Sequence, residues 1–197
     1  MGPRLRAASA VLLLLAPVLS RAASVPEVDF QVVPYPVRGR SLAEVQADMA
    51  RQAPSKNDES YYAGLTTWDL RSTYDLVPTS EGCLIDNGQV FLRVRVHLPQ
   101  LVDSQRLTAG AVREWRRFSA ALHGHEMLHA QNAHRAAVTL LSKLNGRRTD
   151  ILCESARGVV ERGTAVLMQR ISQFDRELDA HSHHGATQGA QLATDRR

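Results

Sequence analysis

The most regular pattern in the chain lies between about residues 108 and 144, where apolar and histidine side chains recur every three or four positions. A recurrence of this period is typical of the buried face of an α-helix. Its members are Trp115, Phe118, Leu122, His125, His129, Ala133, Ala136 and Leu140. We therefore predict one long helix that carries two imidazoles on its buried face.

A second helical pattern follows Asn145-Gly146, a pair that ends helices, and it begins near Asp150. Its apolar positions are Ile151, Val159, Val160, Val166, Leu167, Ile171, Phe174 and Leu178. Because the connection between the two patterns is short, the helices should be antiparallel neighbours. A turn centred near residue 147 would then place His129 opposite roughly Ala165.

The chain before these helices begins with a strand pattern and a short helix. In residues 28–37, Pro34 and Pro36 confine the strand to an edge or an end of a sheet. Ser41 then offers a helix N-cap, which Glu44 supports three residues later. We predict a short helix that ends at the next proline.

Two further stretches lack a helical period. Residues 61–77 contain scattered threonine, tryptophan and leucine, and residues 90–98 alternate between apolar and polar side chains. Turn signals at residues 78–82 and 86–88 lie between them, which predicts antiparallel strands. The predicted fold class is α+β, with a small antiparallel sheet packed on two long antiparallel helices.

The two histidines of the long helix belong to an HExxH motif, His125-Glu126-Met127-Leu128-His129. Residues four apart lie on one face of a helix, so both imidazoles can reach a single metal ion. Glu126 lies about 100° around the helix, where it can act on a metal-bound water without ligating the metal. This is the geometry of a zinc hydrolase. The alternative is that both imidazoles are core side chains satisfied by hydrogen bonds.

A catalytic zinc takes three protein ligands, so the motif is one ligand short. The residue six positions after His129 is Arg135, which excludes the metalloproteases that have a histidine there. Glu154 and Glu161 are candidates on the second helix, and Glu161 is the nearer in the predicted register. The end of that helix carries four more donors: Asp179, His181, His183 and His184. They either fold back over the site or form a solvated tail that binds metals loosely.

The first 22 residues are typical of a secretory signal peptide. Arg4 and Arg6 precede an apolar run over residues 7–19, and small residues follow at the cleavage positions. The run is too short for a comfortable membrane span, so we expect a secreted or periplasmic bacterial protein with no stable membrane anchor after cleavage. The alternative is an uncleaved anchor. Residues 23–197 would then form one domain.

The formal net charge of +4 owes much to this leader. The leader carries three arginines and no acid, so the mature chain keeps 21 basic against 20 acidic side chains. The sequence has no basic stripe with interleaved aromatic residues. We therefore expect no nucleic-acid partner.

Cys83 and Cys153 are the only cysteines. In an exported protein an even pair is typical of a disulfide, which here would join the strand-rich half to the helical half. The bridge would close a loop of about 70 residues, and loop entropy then predicts roughly 4 kcal/mol of stabilisation. The alternative, a cysteine ligand to zinc, is disfavoured because both residues lie far from the HExxH motif.

Four segments occur along the chain in the order P-Y-P-V-R-G-R-S-L-A-E-V, T-x-W, W-R-R-F-S-A-A-L-H-G-H-E-M-L-H and L-D-A-H-S-H-H-G-A-T-Q-G-A. Together they resemble a bacterial family, the domain-of-unknown-function family 922, which is described as secreted zinc-dependent proteases. The resemblance covers about residues 28–191.

In that family the HExxH motif is paired with a C-terminal pattern Y-D-x-x-T-x-H-G. Here Leu178 stands at the tyrosine position, Asp179 at the aspartate, Ser182 at the threonine and His184-Gly185 at the end. The resemblance implies that His184 is the third zinc ligand, with Asp179 either orienting a ligand histidine or ligating the metal itself. The leucine removes a phenol that could donate a hydrogen bond.

We therefore expect a minimal zincin-like domain with zinc held by His125, His129 and His184, where Asp179 and Glu161 are alternatives for the third ligand. Glu126 would act as the general base that hydrolyses a peptide bond. The substrate would be a protein or a peptide, added as an extra strand to the edge of the 90–98 strand. The alternative function is a non-catalytic periplasmic binding or assembly module on the same scaffold.

Overall fold

The computed structural model describes residues 25–56 and 61–194, so the predicted signal peptide lies outside the described residues. Within these ranges the chain forms six strands and three α-helices. In order they are β1 (Glu27–Val37), α1 (Leu42–Gln52), β2 (Ser55–Lys56), β3 (Tyr61–Tyr62), β4 (Leu65–Thr79), β5 (Gly82–Leu101), α2 (Ala109–Lys143), β6 (Arg147–Thr149) and α3 (Cys153–Ser182). The α+β class is confirmed.

The main sheet is mixed, where an antiparallel sheet was predicted. β4 and β5 form an antiparallel hairpin, while β1 pairs in parallel with the other side of β5. The parallel pairing arises because the chain crosses through α1 between β1 and β4, so that β1 does not form a hairpin. The strand over residues 90–98 is therefore paired on both sides, and its predicted role as a substrate edge is wrong. The long edge strands are β1 and β4.

Only one of the two turn signals forms the hairpin turn. β4 and β5 are joined at residues 80 and 81, whereas the second signal lies inside β5. There Asn87 has φ of 52°, and the pairing register of β5 with β4 shifts between Thr73 and Asp75. Asn87 Nδ2 donates to Asp75 Oδ2 over 2.9 Å. The second signal is a bulge that absorbs one extra residue.

The core lies between the sheet and α2. All eight residues of the predicted helical stripe are buried on α2, so the long helix and its face are confirmed. The opposing sheet face is built by alternate residues of β5: Val90, Leu92, Val94 and Val96. A second cluster joins α1 to the first turns of α2 through Val45, Met49, Trp115 and Phe118. The HExxH histidines lie between these two clusters.

The short helix α1 begins as predicted. The Ser41 side chain accepts a hydrogen bond from the Glu44 N–H at 3.2 Å. The carboxylate of Glu44 in turn accepts from the Arg40 N–H at 2.8 Å. α1 ends at Gln52, just before the proline expected to stop it.

α3 begins at Cys153, later than predicted, because residues 147–149 form a strand that pairs with β5. The predicted disulfide between Cys83 and Cys153 is present and joins this end of α3 to the sheet. Among the residues described, no helix combines the length and the apolar character needed to cross a bilayer.

Candidate metal centre

Three donor atoms meet where α2 faces the end of α3. Nε2 of His125 and Nε2 of His129 each lie 3.1 Å from Oδ1 of Asp179, and the two nitrogens lie 3.4 Å apart. A tetrahedral zinc with bonds of about 2.0–2.1 Å requires ligand atoms roughly 3.3 Å apart. The triangle therefore has the size of one face of a zinc coordination shell, and two imidazoles with one carboxylate are a ligand set that catalytic zinc uses.

The other nitrogen of each imidazole is occupied by an oxygen acceptor. Nδ1 of His125 lies 3.0 Å from Oε1 of Gln188, and Nδ1 of His129 lies 3.0 Å from Oδ1 of Asp175. Because these oxygens accept, each Nδ1 carries a hydrogen, and the Nε2 atoms are the ones that face the centre and would bind a metal ion once deprotonated. Such outer contacts fix the tautomer and the ring orientation of metal-binding histidines.

The carboxylate of Asp175 accepts hydrogen bonds from two other side chains besides His129. Its Oδ2 accepts from the indole nitrogen of Trp68 on β4 at 3.0 Å, and its Oδ1 accepts from the side-chain amide of Asn132 at 3.2 Å. Asp175 and Gln188 were not predicted from the sequence. Asp175 precedes Asp179 by four residues on one helix, a spacing that could have identified it. Gln188 carried no comparable signal.

Glu126 is buried beside the three donors and lines the same cleft as His129 and Asp179. The Thr66 hydroxyl donates to its Oε2 over 2.7 Å. Burial raises the pKa of Glu126, and the hydrogen bond from Thr66 partly opposes that shift. Gly64 packs directly on the carboxylate, where a β carbon would collide with Oε1.

The charges of the donor side chains and of Asp175 strongly affect the pKa values of His129 and Asp179. Burial lowers the pKa of His129, but the carboxylates of Asp175 and Asp179 raise it to about 10. Burial likewise raises the pKa of Asp179, but hydrogen bonds from His125 and His129 hold it below its ordinary value. His129 and Asp179 thus form an ion pair that a cation would replace.

The third donor that the structure brings to the histidines is Asp179, one of the predicted alternatives. His184 lies beside it, with Nδ1 3.5 Å from Asp179 Oδ1 and its ring 4.2 Å from that of Tyr62. Its side chain is 48% exposed at the mouth of the cleft. His184 is therefore close to the group without being one of the three, and its role as a ligand stays a prediction.

The prediction of Glu161 as an alternative third ligand is wrong. It precedes Asp179 by eighteen residues on α3, which is about 27 Å along the helix axis. The predicted register placed His129 opposite Ala165, whereas His129 faces Asp175. The difference of ten residues arises because β6 and the disulfide lengthen the connection between the helices.

A tight left-handed turn returns the chain to the centre after α3. His183, His184 and Gly185 have φ of 50°, 52° and 82°. The Ser182 hydroxyl donates to the Leu178 carbonyl and accepts from the Gly185 N–H, at 2.7 and 2.9 Å. A β carbon on Gly185 would lie 2.9 Å from Cγ of His125, so glycine is required there. The turn brings Gln188 to His125.

The segment after this turn is fixed to the outside of α2. The Arg117 guanidinium donates to the carbonyls of Gly189 and Gln191 at 2.8 and 2.6 Å. Glu114 accepts from the Ala193 N–H at 2.9 Å, and its hydrogen bond with Arg117 lowers its pKa to about 2. These contacts hold the segment that supplies Gln188.

Two of the three donors, His129 and Asp179, open onto a cleft of about 570 Å³. Its walls include the backbone around Gly64, the rings of Tyr61 and Tyr62, and the imidazoles of His183 and His184. Its floor is apolar and consists of Met49, Phe118, Leu122 and Leu192. A volume of this size accommodates a small ligand or a few residues of a peptide.

Comparison with known proteins identifies one family. The family model described as "Bacterial protein of unknown function (DUF922)" matches residues 32–185. The match includes every residue of the candidate centre except Gln188. No curated protein and no solved structure shows a significant match.

Proposed function

We propose that this chain, which belongs to the bacterial DUF922 family of unknown function, is a secreted zinc-dependent peptidase. The observation that carries the proposal is the triangle of His125, His129 and Asp179 with the buried carboxylate of Glu126 on the same cleft. A structural role for two core histidines would require neither a third donor at ligand spacing nor a buried glutamate beside it.

The chemical roles divide between the metal and the chain. A bound zinc ion supplies Lewis-acid polarisation of a peptide carbonyl and acidifies water. Asp179 contributes a negative charge to the ligand set, and Asp175 and Gln188 keep both imidazoles oriented. Glu126 is placed to move protons, because it lies beside the ligands without being one of them.

In the proposed reaction, Glu126 accepts a proton from water as the water oxygen attacks the carbonyl carbon. Glu126 then delivers that proton to the peptide nitrogen as the carbon–nitrogen bond breaks, so the immediate products are a carboxylic acid and an amine. Its buried position suits the second step, since burial raises its pKa and favours the protonated form that donates to the peptide nitrogen. The Thr66 hydroxyl keeps the carboxylate in place.

An extended peptide is the substrate form that suits this cleft. Among the described residues, no strand pairs with β4 on the side away from β5. Gly64 and Thr66, at the start of β4, line the cleft next to Glu126. A substrate strand added to this edge would pass the three donors, with an apolar side chain over the floor.

Export is part of the proposal. The disulfide between Cys83 and Cys153 is typical of an oxidising compartment, and the predicted signal peptide provides the route. Secretion and the periplasm both meet this condition.

The test combines metal content with hydrolysis. We expect about one zinc per chain in the purified protein, cleavage of a peptide library, and a loss of cleavage by at least 10³-fold in Glu126→Gln with its zinc retained. Glu161→Gln is the matched control, since it makes the same change at an exposed site on α3. Full activity in Glu126→Gln would disprove the mechanism. Zinc at full occupancy without hydrolysis of any peptide would favour the binding or assembly module.

A further inference from the structure

A second cleft lies at the opposite end of α3 from the metal centre. Its volume is about 770 Å³, and it is bounded by α2, β6 and the first half of α3. Its lining is largely apolar and includes Leu140, Leu144, Ile151, Val160 and Leu167. It is separate from the centre, because Gly163 in its wall precedes Asp179 by sixteen residues, or about 24 Å of helix.

The cleft lies along a stretch of α3 that is only partly covered. Of the residues of α3, only Ala156, Ile171 and Ser182 are buried. The fourteen residues between Ala156 and Ile171 are therefore all at least partly exposed to solvent. Val159 and Val166 in this stretch are 50% and 46% exposed, although they belong to the apolar stripe. An apolar helix face left open in this way is typical of a binding site.

Both ends of this stretch are fixed, so the cleft is part of the folded framework. At one end, the disulfide ties Cys153 to Cys83, and β6 pairs with β5. At the other end, Ile171 is buried and its carbonyl accepts from the side chain of Asn132 at 3.3 Å. These contacts fix α3 at both ends of the cleft.

The lining carries an excess of positive charge. Its cations are Lys143, Arg147, Arg148 and Arg170, and its single acid is Asp150. Within the part of the chain that the structure describes, none of the four cations forms an ion pair. An apolar cleft with unpaired cations complements a ligand that has a hydrocarbon body and an anionic end.

We propose that this cleft binds a long-chain fatty acid, with the alkyl chain between α2 and α3 and the carboxylate against the cationic side chains of the lining. The volume falls in the range of sites for a single small ligand. The apolar walls favour a ligand with a hydrocarbon part over a wholly polar anion such as phosphate, and the cations favour a carboxylate over a neutral lipid. The site is independent of the metal centre and of the proposed peptidase activity.

Gly163 provides a direct test, because it lines the cleft and a β carbon there meets no atom within 4 Å. Gly163→Phe should fill the cleft without disturbing the helix, and Gly163→Ala is its matched control. Binding is measured on the delipidated full chain by displacement of a fluorescent 18-carbon polyene fatty acid, with palmitate and 1-hexadecanol as competitors. Zinc content monitors the integrity of the distant metal centre.

We expect one saturable site, displaced by palmitate at least tenfold more strongly than by 1-hexadecanol. Gly163→Phe should abolish binding and Gly163→Ala should retain it. A second test is the double variant Arg147→Glu, Arg148→Glu, which changes exposed side chains. It should lower the affinity for palmitate at least tenfold and leave the affinity for 1-hexadecanol unchanged. This variant also tests the proposal if Gly163→Phe does not fold. Equal displacement by the two competitors, unchanged binding in Gly163→Phe, or a dimer that Gly163→Phe dissociates would each overturn the proposal.

Discussion

Gly64 lies against the carboxylate of Glu126 with no room for a β carbon between them. We predict that Gly64→Ala displaces this carboxylate and lowers peptide hydrolysis by about 10²-fold, since a shift of about 1 Å costs that much in a catalytic group. Zinc content should stay unchanged, because the added β carbon would meet Glu126, which is not one of the three donors. Steady-state kinetics and metal analysis of the same preparation test both statements. Gly163→Ala is the control, because alanine has free space there.

The third ligand can be identified by comparing two variants. We predict that Asp179→Ala loses zinc, because it removes a donor 3.1 Å from both histidine nitrogens. His184→Ala should retain zinc near one per chain, since its imidazole lies outside the three-donor group. Metal analysis after dialysis against a weak chelator distinguishes them. The reverse result would make His184 the ligand and Asp179 its partner.

Asp175 should affect metal affinity without binding the metal. Asp175→Ala removes the acceptor that orients His129 and leaves the indole of Trp68 without its partner. We expect zinc affinity to fall 10–100-fold with stoichiometry still reaching one at high zinc. Competition with a chromophoric chelator measures this. A stoichiometry that stays below one would instead make Asp175 a direct ligand.

The contact between Glu114 and the segment after α3 predicts a pH dependence. Arg117 lowers the pKa of Glu114 from an ordinary value of 4.5 to about 2. A lowered pKa stabilises the fold above the ordinary value, and this contribution is lost as the pH falls through about 2. Glu114→Gln should therefore unfold at a lower temperature than the unsubstituted protein at neutral pH, and the difference should shrink between about pH 4.5 and 2.

Thermal unfolding in the presence of a chelator, which removes any effect of metal loss, measures that difference. Glu161→Gln should show little change at any pH, since Glu161 is exposed and forms no ion pair with another of the described residues. A difference for Glu114→Gln that is constant across the pH range would mean that side-chain packing, and not the carboxylate charge, holds the segment.

The two long helices could be predicted from the sequence, but the offset between them could not. The stripe from Trp115 to Leu140 is regular, so α2 and the burial of its histidines followed from period alone. The pairing of α2 with α3 did not, because three residues of the connection join the sheet and move Asp175 to the position opposite His129. Periodicity defines a helix face but not the offset between two helices.

The candidate metal centre could likewise be predicted only in part. His125 and His129 could be identified from their spacing, and Asp179 was among the alternatives. The positions of His184 and Gln188 depend on three successive left-handed residues, two of which are histidines. Such conformations are uncommon outside glycine, so no local pattern predicts them. The parallel pairing of β1 was likewise set by the crossover through α1, which strand patterns do not encode.

The position of Asp179 on the chain also determines when the centre can form. During synthesis His125 emerges 54 residues before Asp179 and 63 before Gln188. A nascent chain that has only the HExxH segment outside the ribosome would offer two imidazoles, neither of which has its orienting acceptor. A metal ion could be fully coordinated only after the end of α3 and its return turn have formed, so it would have to come from the compartment where the chain finishes folding.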